Sequence, residues 1–186
     1  MPRLTLPAAD FFGERPRSIR RLVHGLAALA KRLQIRPQKH SLGQIIAVSD
    51  SYGAKDPPTE RLFRTISDSL YGQYYEIWCP NSAATSYHLH QNYFHLYSLP
   101  SRTERDQLVC LHSEPEEPFQ PMASRVKCGP HIHVNAKEPR LLPIAKAHLP
   151  VCYSDTENVL GTLRSFDERF QEALDVIRHE IVDRYS

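Results

Sequence analysis

The sequence predicts a single α+β domain, an antiparallel sheet flanked by an N-terminal and a C-terminal amphipathic helix. Three observations carry that expectation. Apolar residues recur at three- and four-residue steps near both ends of the chain, and short aromatic and β-branched runs fill the region between them. No repeat, Gly-rich linker or low-complexity tract divides the 186 residues. With 41% hydrophobic residues and a net charge of +2, the chain can bury a core and does not have the composition of a disordered one.

Taken in order, residues 1–40 form a basic helical arm. Its helix is expected over 18–36, where Ile19, Leu22, Val23, Leu26, Leu29, Ala30 and Leu33 make one stripe, Ser18 caps the start and Pro37 stops continuation. The region 43–152 is the sheet. Strands are expected at 43–49, 74–78, 87–99, 107–112, 131–134 and 147–152, with a helix near 59–70 that carries Leu62, Phe63, Ile66 and Leu70 on one side. Three prolines make 113–122 a polar loop. The last helix lies within 154–186, with Leu163, Phe166, Phe170, Leu174, Ile177 and Ile181 on one face and a capping box from Ser154 to Glu157.

Charge separates these regions. Residues 1–40 hold nine Lys/Arg against two acids, and residues 154–186 hold four against eight. The basic arm is therefore expected either to touch nucleic acid through Arg20, Arg21, Lys31 and Arg32, with Lys127 from the sheet region, or to dock on the acidic C-terminal segment of its own chain. No run approaches the ~18 apolar residues of a membrane span, and the start of the chain has no apolar signal core, so the expected location is cytoplasmic. Cys79, Cys110, Cys128 and Cys152 form no CxxC pair and are expected to be reduced and buried.

Ten histidines are the unusual feature. His88 and His90 share one face of a strand, as do His131 and His133, and His148 follows on the next strand. If those strands pair, the imidazoles converge on one patch. Two chemistries suit such a patch. Imidazoles can serve as base and acid in the cleavage of an RNA phosphodiester, with His131 and His133 as principals and His88, His90 and His148 in support. Arg125, Lys127, Lys137, Arg140 or Lys146 would then stabilise the anionic transition state, and Tyr87, Tyr93, Phe94 and Tyr97 would stack on bases. Alternatively His131 and His133, with Cys128, ligate zinc or another divalent metal. His95 falls on the opposite strand face from His88 unless Gln91-Asn92 resets the register. A third reading leaves the histidines on a solvated sheet face and makes the chain an interaction module acting through its basic helix. P-loop, dinucleotide-binding, zincin and nucleophile-elbow motifs are all lacking.

The run Tyr87-His-Leu-His90, the later Gly129-Pro-His-Ile-His-Val134, then Ala147-His-Leu-Pro-Val151 and an amphipathic C-terminal helix resemble the small His-rich prokaryotic proteins of the TumE-type toxin group. The likeness covers about residues 74–184, and the group's Asn-Ala-Pro-His-His stretch does not occur here. The resemblance implies a ribonuclease toxin with a cognate antitoxin as its protein partner.

Overall fold

The computed structural model describes residues 4–27, 32–50, 55–65, 69–98, 107–115, 129–135, 146–150 and 161–184. Within them the strands are β1 (Thr5–Pro7), β2 (Gln34–His40), β3 (Gly43–Ser49), β4 (Phe63–Arg64), β5 (Tyr71–Pro80), β6 (Ser86–Tyr97), β7 (Gln107–Ser113), β8 (His131–Asn135) and β9 (Lys146–Pro150). The helices are α1 (Ala8–Gly13), α2 (Arg15–His24) and α3 (Leu163–Ile177), the last running on into a π-helical turn at Arg178–Val182. All the strand pairings are antiparallel, in the order β2-β3-β5-β6-β7-β8-β9; β1 adds to β6 and β4 to β5. The α+β fold follows as expected.

Period-two alternation gives the sheet two different faces. Ile46, Val48, Tyr74, Trp78, Leu89, Phe94, Leu96, Val109 and Leu111 point to the core that the three helices cover. Phe11 of α1 stacks on Tyr87 at 4.4 Å, Ile19, Leu22 and Val23 of α2 are buried, and Phe170 of α3 meets Tyr74 edge-on at 6.0 Å. Burying these side chains contributes on the order of 2 kcal/mol each, and the same packing sets which residues are left on the other face.

Two helix expectations are corrected. The N-terminal helix spans Arg15–His24 rather than 18–36, and Gln34–His40 is a strand. A glycine, Gly25, caps the helix, and Pro37 sits in the edge strand β2, where a missing N–H breaks no ladder. Near 59–70 a 3₁₀ turn at Pro58–Glu60 and the short β4 replace the helix; residues 66–68 lie outside the described set. Phe63 pairs with Gly72 of β5, whose missing side chain leaves room for the ring: a Cβ there would come within 2.4 Å of it. Tertiary pairing has overridden local helical spacing. The expected capping box at Ser154 and Glu157 also lies outside the described residues. Thr162 caps α3 instead, its hydroxyl accepting from the Ser165 N–H at 3.0 Å. No described helix is long and apolar enough to cross a membrane.

Candidate metal centre

The face away from the helices carries the histidines, and strand register brings them together. Pairing of β6 with β7 sets His95 opposite Cys110 and Tyr93 opposite His112. Pairing of β7 with β8 sets Cys110 opposite His133 and His112 opposite His131, and β9 brings His148 to the position opposite His133. Each pair occupies one face of the sheet, so two parallel rows cross the strands.

The closest approach is between His112, His131 and His133. One nitrogen from each lies within 4.8 Å of the others. His112 Nε2 and His131 Nε2 are 2.6 Å apart, and the His112 ring lies 4.2 Å from both of the others. The Gly129 carbonyl, 2.9 Å from His131 Nδ1, can only accept. His131 therefore donates through Nδ1 and turns the Nε2 lone pair of its neutral form toward the cluster. A backbone carbonyl holding one ring nitrogen so that the other faces a metal is a recurrent outer-shell device. Three imidazole ligands at 2.0–2.1 Å from a tetrahedral ion stand about 3.3 Å apart, within the spread found here. His131 is fully buried, His112 is buried and His133 half-buried, so the approach from solvent is on the His133 side.

A second group adjoins the cluster. Cys110 Sγ lies 3.3 Å from His95 Nε2 and 4.0 Å from His112 Nδ1, and His95 Nδ1 lies 2.8 Å from the Tyr97 hydroxyl. Burial pushes the His95 pKa down to about 4, so this imidazole is neutral at physiological pH.

The expected residues fare differently. His131 and His133 meet as anticipated, and His148 takes a register position beside them. His88 and His90 do not join: His88 sits opposite Cys79, toward the other end of β6. The β5–β6 register slips between Ile77 and Trp78, passing over His90, and this irregularity returns His95 to the same face as His88. Of the four rings expected to stack on bases, Tyr87 and Phe94 belong to the helix-side core and Tyr97 is buried, leaving Tyr93 half-buried beside His112. Arg20, Arg21 and Arg32 are exposed, the first two on α2 across the sheet from the histidines. Lys31, Arg125, Lys127, Cys128, Lys137, Arg140 and Cys152 lie outside the described residues. His112, the central member, is not among the site residues expected from sequence. Its only local signal is the Cys110-x-His112 alternation.

No protein-family model, curated protein or solved structure matches the chain.

Proposed function

We propose that this protein is a metal-dependent hydrolase whose centre is the His112–His131–His133 cluster, with zinc the first candidate ion and RNA phosphodiesters the substrate class. The observation that carries this reading is the convergence of three imidazole nitrogens within 4.8 Å, one of them aimed by the Gly129 carbonyl. Three protein ligands with a fourth position for water is the arrangement of catalytic rather than structural zinc. A bound ion would lower the pKa of that water and supply hydroxide at neutral pH. Hydrolysis would then add the water's oxygen to phosphorus, break the bond to the leaving oxygen, and pass the water's proton to that oxygen. His112 would hold the ion through Nε2 as a neutral imidazole, with its proton on Nδ1, 4.0 Å from Cys110 Sγ. The resemblance to TumE-type toxins adds an antitoxin as the expected partner.

One observation favours metal-free acid–base cleavage as a second reading. His112 Nε2 and His131 Nε2 are 2.6 Å apart, and with the His131 nitrogen as acceptor the two form a donor–acceptor pair.

Elemental mass spectrometry on untagged protein after zinc loading and exhaustive dialysis tests the first reading. Near-stoichiometric metal is expected in the wild type and little in His112→Ala/His133→Ala. A wild type that retains none refutes the centre. RNA cleavage that survives chelation but disappears in His131→Ala would establish the second reading in its place.

A further inference from the structure

We propose that Arg36 and Arg61 form a phosphate-binding subsite for single-stranded nucleic acid, so that a substrate strand runs across the sheet from this pair, past Tyr75 and Tyr93, to the imidazole cluster. This rests on the hydrolase reading above.

Arg36 stands opposite Ala47 on β3, Ala47 opposite Tyr75 on β5, Tyr75 opposite Tyr93 on β6, Tyr93 opposite His112 on β7, and His112 opposite His131 on β8. All six therefore occupy the histidine face, in one row perpendicular to the strands. From Tyr75 onward the row is a continuous run of rings, open at the tyrosines and buried at the histidines: ring centroids are 5.0 Å apart from Tyr75 to Tyr93, 4.8 Å from Tyr93 to His112 and 4.2 Å from His112 to His131. Both tyrosines are half-buried and keep part of their rings open. Sequence-tolerant stacking on such rings is how proteins hold single strands.

The cations close the far end of the row. The segment before β4 crosses this face, tied down by Gln73 Nε2 donating to the Thr59 carbonyl at 2.9 Å. It brings Arg61 to β2, where Nη2 donates to Gln38 Oε1 at 3.2 Å while Nε donates to the Asp56 carbonyl at 3.0 Å. Gln38 and Arg36 are two apart on β2 and share a face. Burial and the neighbouring Arg36 charge lower the Arg61 pKa, with Asp56 opposing, so the two arginines add to one patch of positive charge that a phosphate would neutralise. Four strand spacings separate β2 from β7, about 19 Å, a span of several nucleotides.

The basic residues of α2 are poorer candidates. They lie behind the sheet, Arg17 pairs with Glu14, and Arg21 borders a groove shared with Asp167, Glu168 and Glu172.

The test is fluorescence anisotropy of a labelled oligouridine titrated with full-length protein over a salt series, with the protein zinc-loaded and again after chelation. Arg36→Ala/Arg61→Ala is expected to weaken binding at least tenfold and to flatten the slope of log K against log salt by about 1.4, two phosphate contacts at ~0.7 each. Arg36→Glu, at an exposed edge-strand position, should weaken binding comparably without touching the Arg61 contacts. Arg20→Ala/Arg21→Ala should leave binding unchanged. Unaltered affinity and slope in the first two variants, a loss confined to the Arg20/Arg21 variant, or equal binding of duplex RNA would overturn the proposal. Metal retention without oligouridine binding would sink this subsite alone. Arginine-dependent binding by protein that retains no metal would keep the subsite and sink the metal centre.

Discussion

The two faces of the sheet treat buried polar groups in opposite ways. On the helix side, Glu76 is fully buried and collects hydrogen bonds from both Arg15 Nε (2.9 Å) and Nη2, from the Tyr74 hydroxyl (2.5 Å), from Trp78 Nε1 (2.8 Å) and from Asn92 Nδ2 (3.2 Å). Arg15 passes its remaining fork to Asp167 of α3 at 2.6 Å. Apart from Asn92 Oδ1 and Asp167 Oδ1, the donors and acceptors are matched, and the Arg15 charge faces two carboxylates, which locks α2 and α3 to β5. On the other side, several imidazoles crowd together with no carboxylate among the three central ones. A network of the first kind fixes a fold; a cluster of the second kind gains most from a cation. Perturbing each face should therefore have different consequences.

The largest effect is expected at Glu76. Glu76→Gln leaves the Arg15 guanidinium buried without its principal counter-charge and should cost about 3–5 kcal/mol of folding stability, measured by urea denaturation. Burial alone would raise the Glu76 pKa. The adjacent Arg15 charge, with the hydrogen bonds from Arg15, Tyr74 and Trp78, outweighs it and holds the pKa below the ordinary 4.5. A carboxylate with a depressed folded-state pKa adds stability that is complete above pH 4.5 and is lost as pH falls through the lower, folded value. Wild-type stability should thus decline below pH 4.5, with the Glu76 contribution to that slope absent from the variant. Equal stability of the two proteins would end the contrast between the faces.

The histidine face should answer to metal rather than to charge removal. Zinc at 100 times its dissociation constant should raise wild-type stability by about 2.7 kcal/mol, and His112→Ala/His133→Ala should show no zinc-dependent increment whatever its own baseline. The increment should also shrink as acid protonates the ligands. Thermal denaturation with and without zinc reads both. A zinc effect of the same size in the variant would place the ion elsewhere.

The difference between the faces also explains what the sequence made legible. The strands at 43–49, 74–78, 87–99 and 107–112 announce themselves through alternation and aromatic content, and the stripe from Leu163 to Ile177 is a local property of α3. His131 and His133 are visible because they are two residues apart. His112 is invisible alone: its role comes from the β7–β8 register, a long-range property that spacing does not encode. His88 is excluded by its place along β6, opposite Thr5 and Cys79 and outside the Asn92–Tyr97 stretch that β7 pairs, which no turn residue advertises. Arg15 and Glu76 are 61 residues apart, and each is an unremarkable charge until the fold buries both. The N-terminal helix is overextended for the converse reason, since its apolar stripe continues past Gly25 into residues that pair as a strand or precede one.

The smallest expected effect separates two carboxylates on one guanidinium. Asp167 also bonds Arg15, yet its pKa moves up: its burial outweighs the Arg15 charge, which is already shared with Glu76, and Glu76 itself repels it. A carboxyl with a raised folded-state pKa favours the fold most when protonated, so its contribution is present below its ordinary pKa of 3.8 and fades as pH rises through the folded value. This is opposite in sign to Glu76. Asp167→Asn removes the repulsion and the charge penalty while the amide oxygen can still accept from Arg15 Nη1, and stability at pH 7 should change by no more than about 1 kcal/mol. Urea denaturation of Asp167→Asn beside Glu76→Gln makes the comparison directly. If Asp167→Asn proves as costly as Glu76→Gln, the guanidinium is balanced between two equal partners, and α3 is held to the sheet by charge as much as by Phe166 and Phe170.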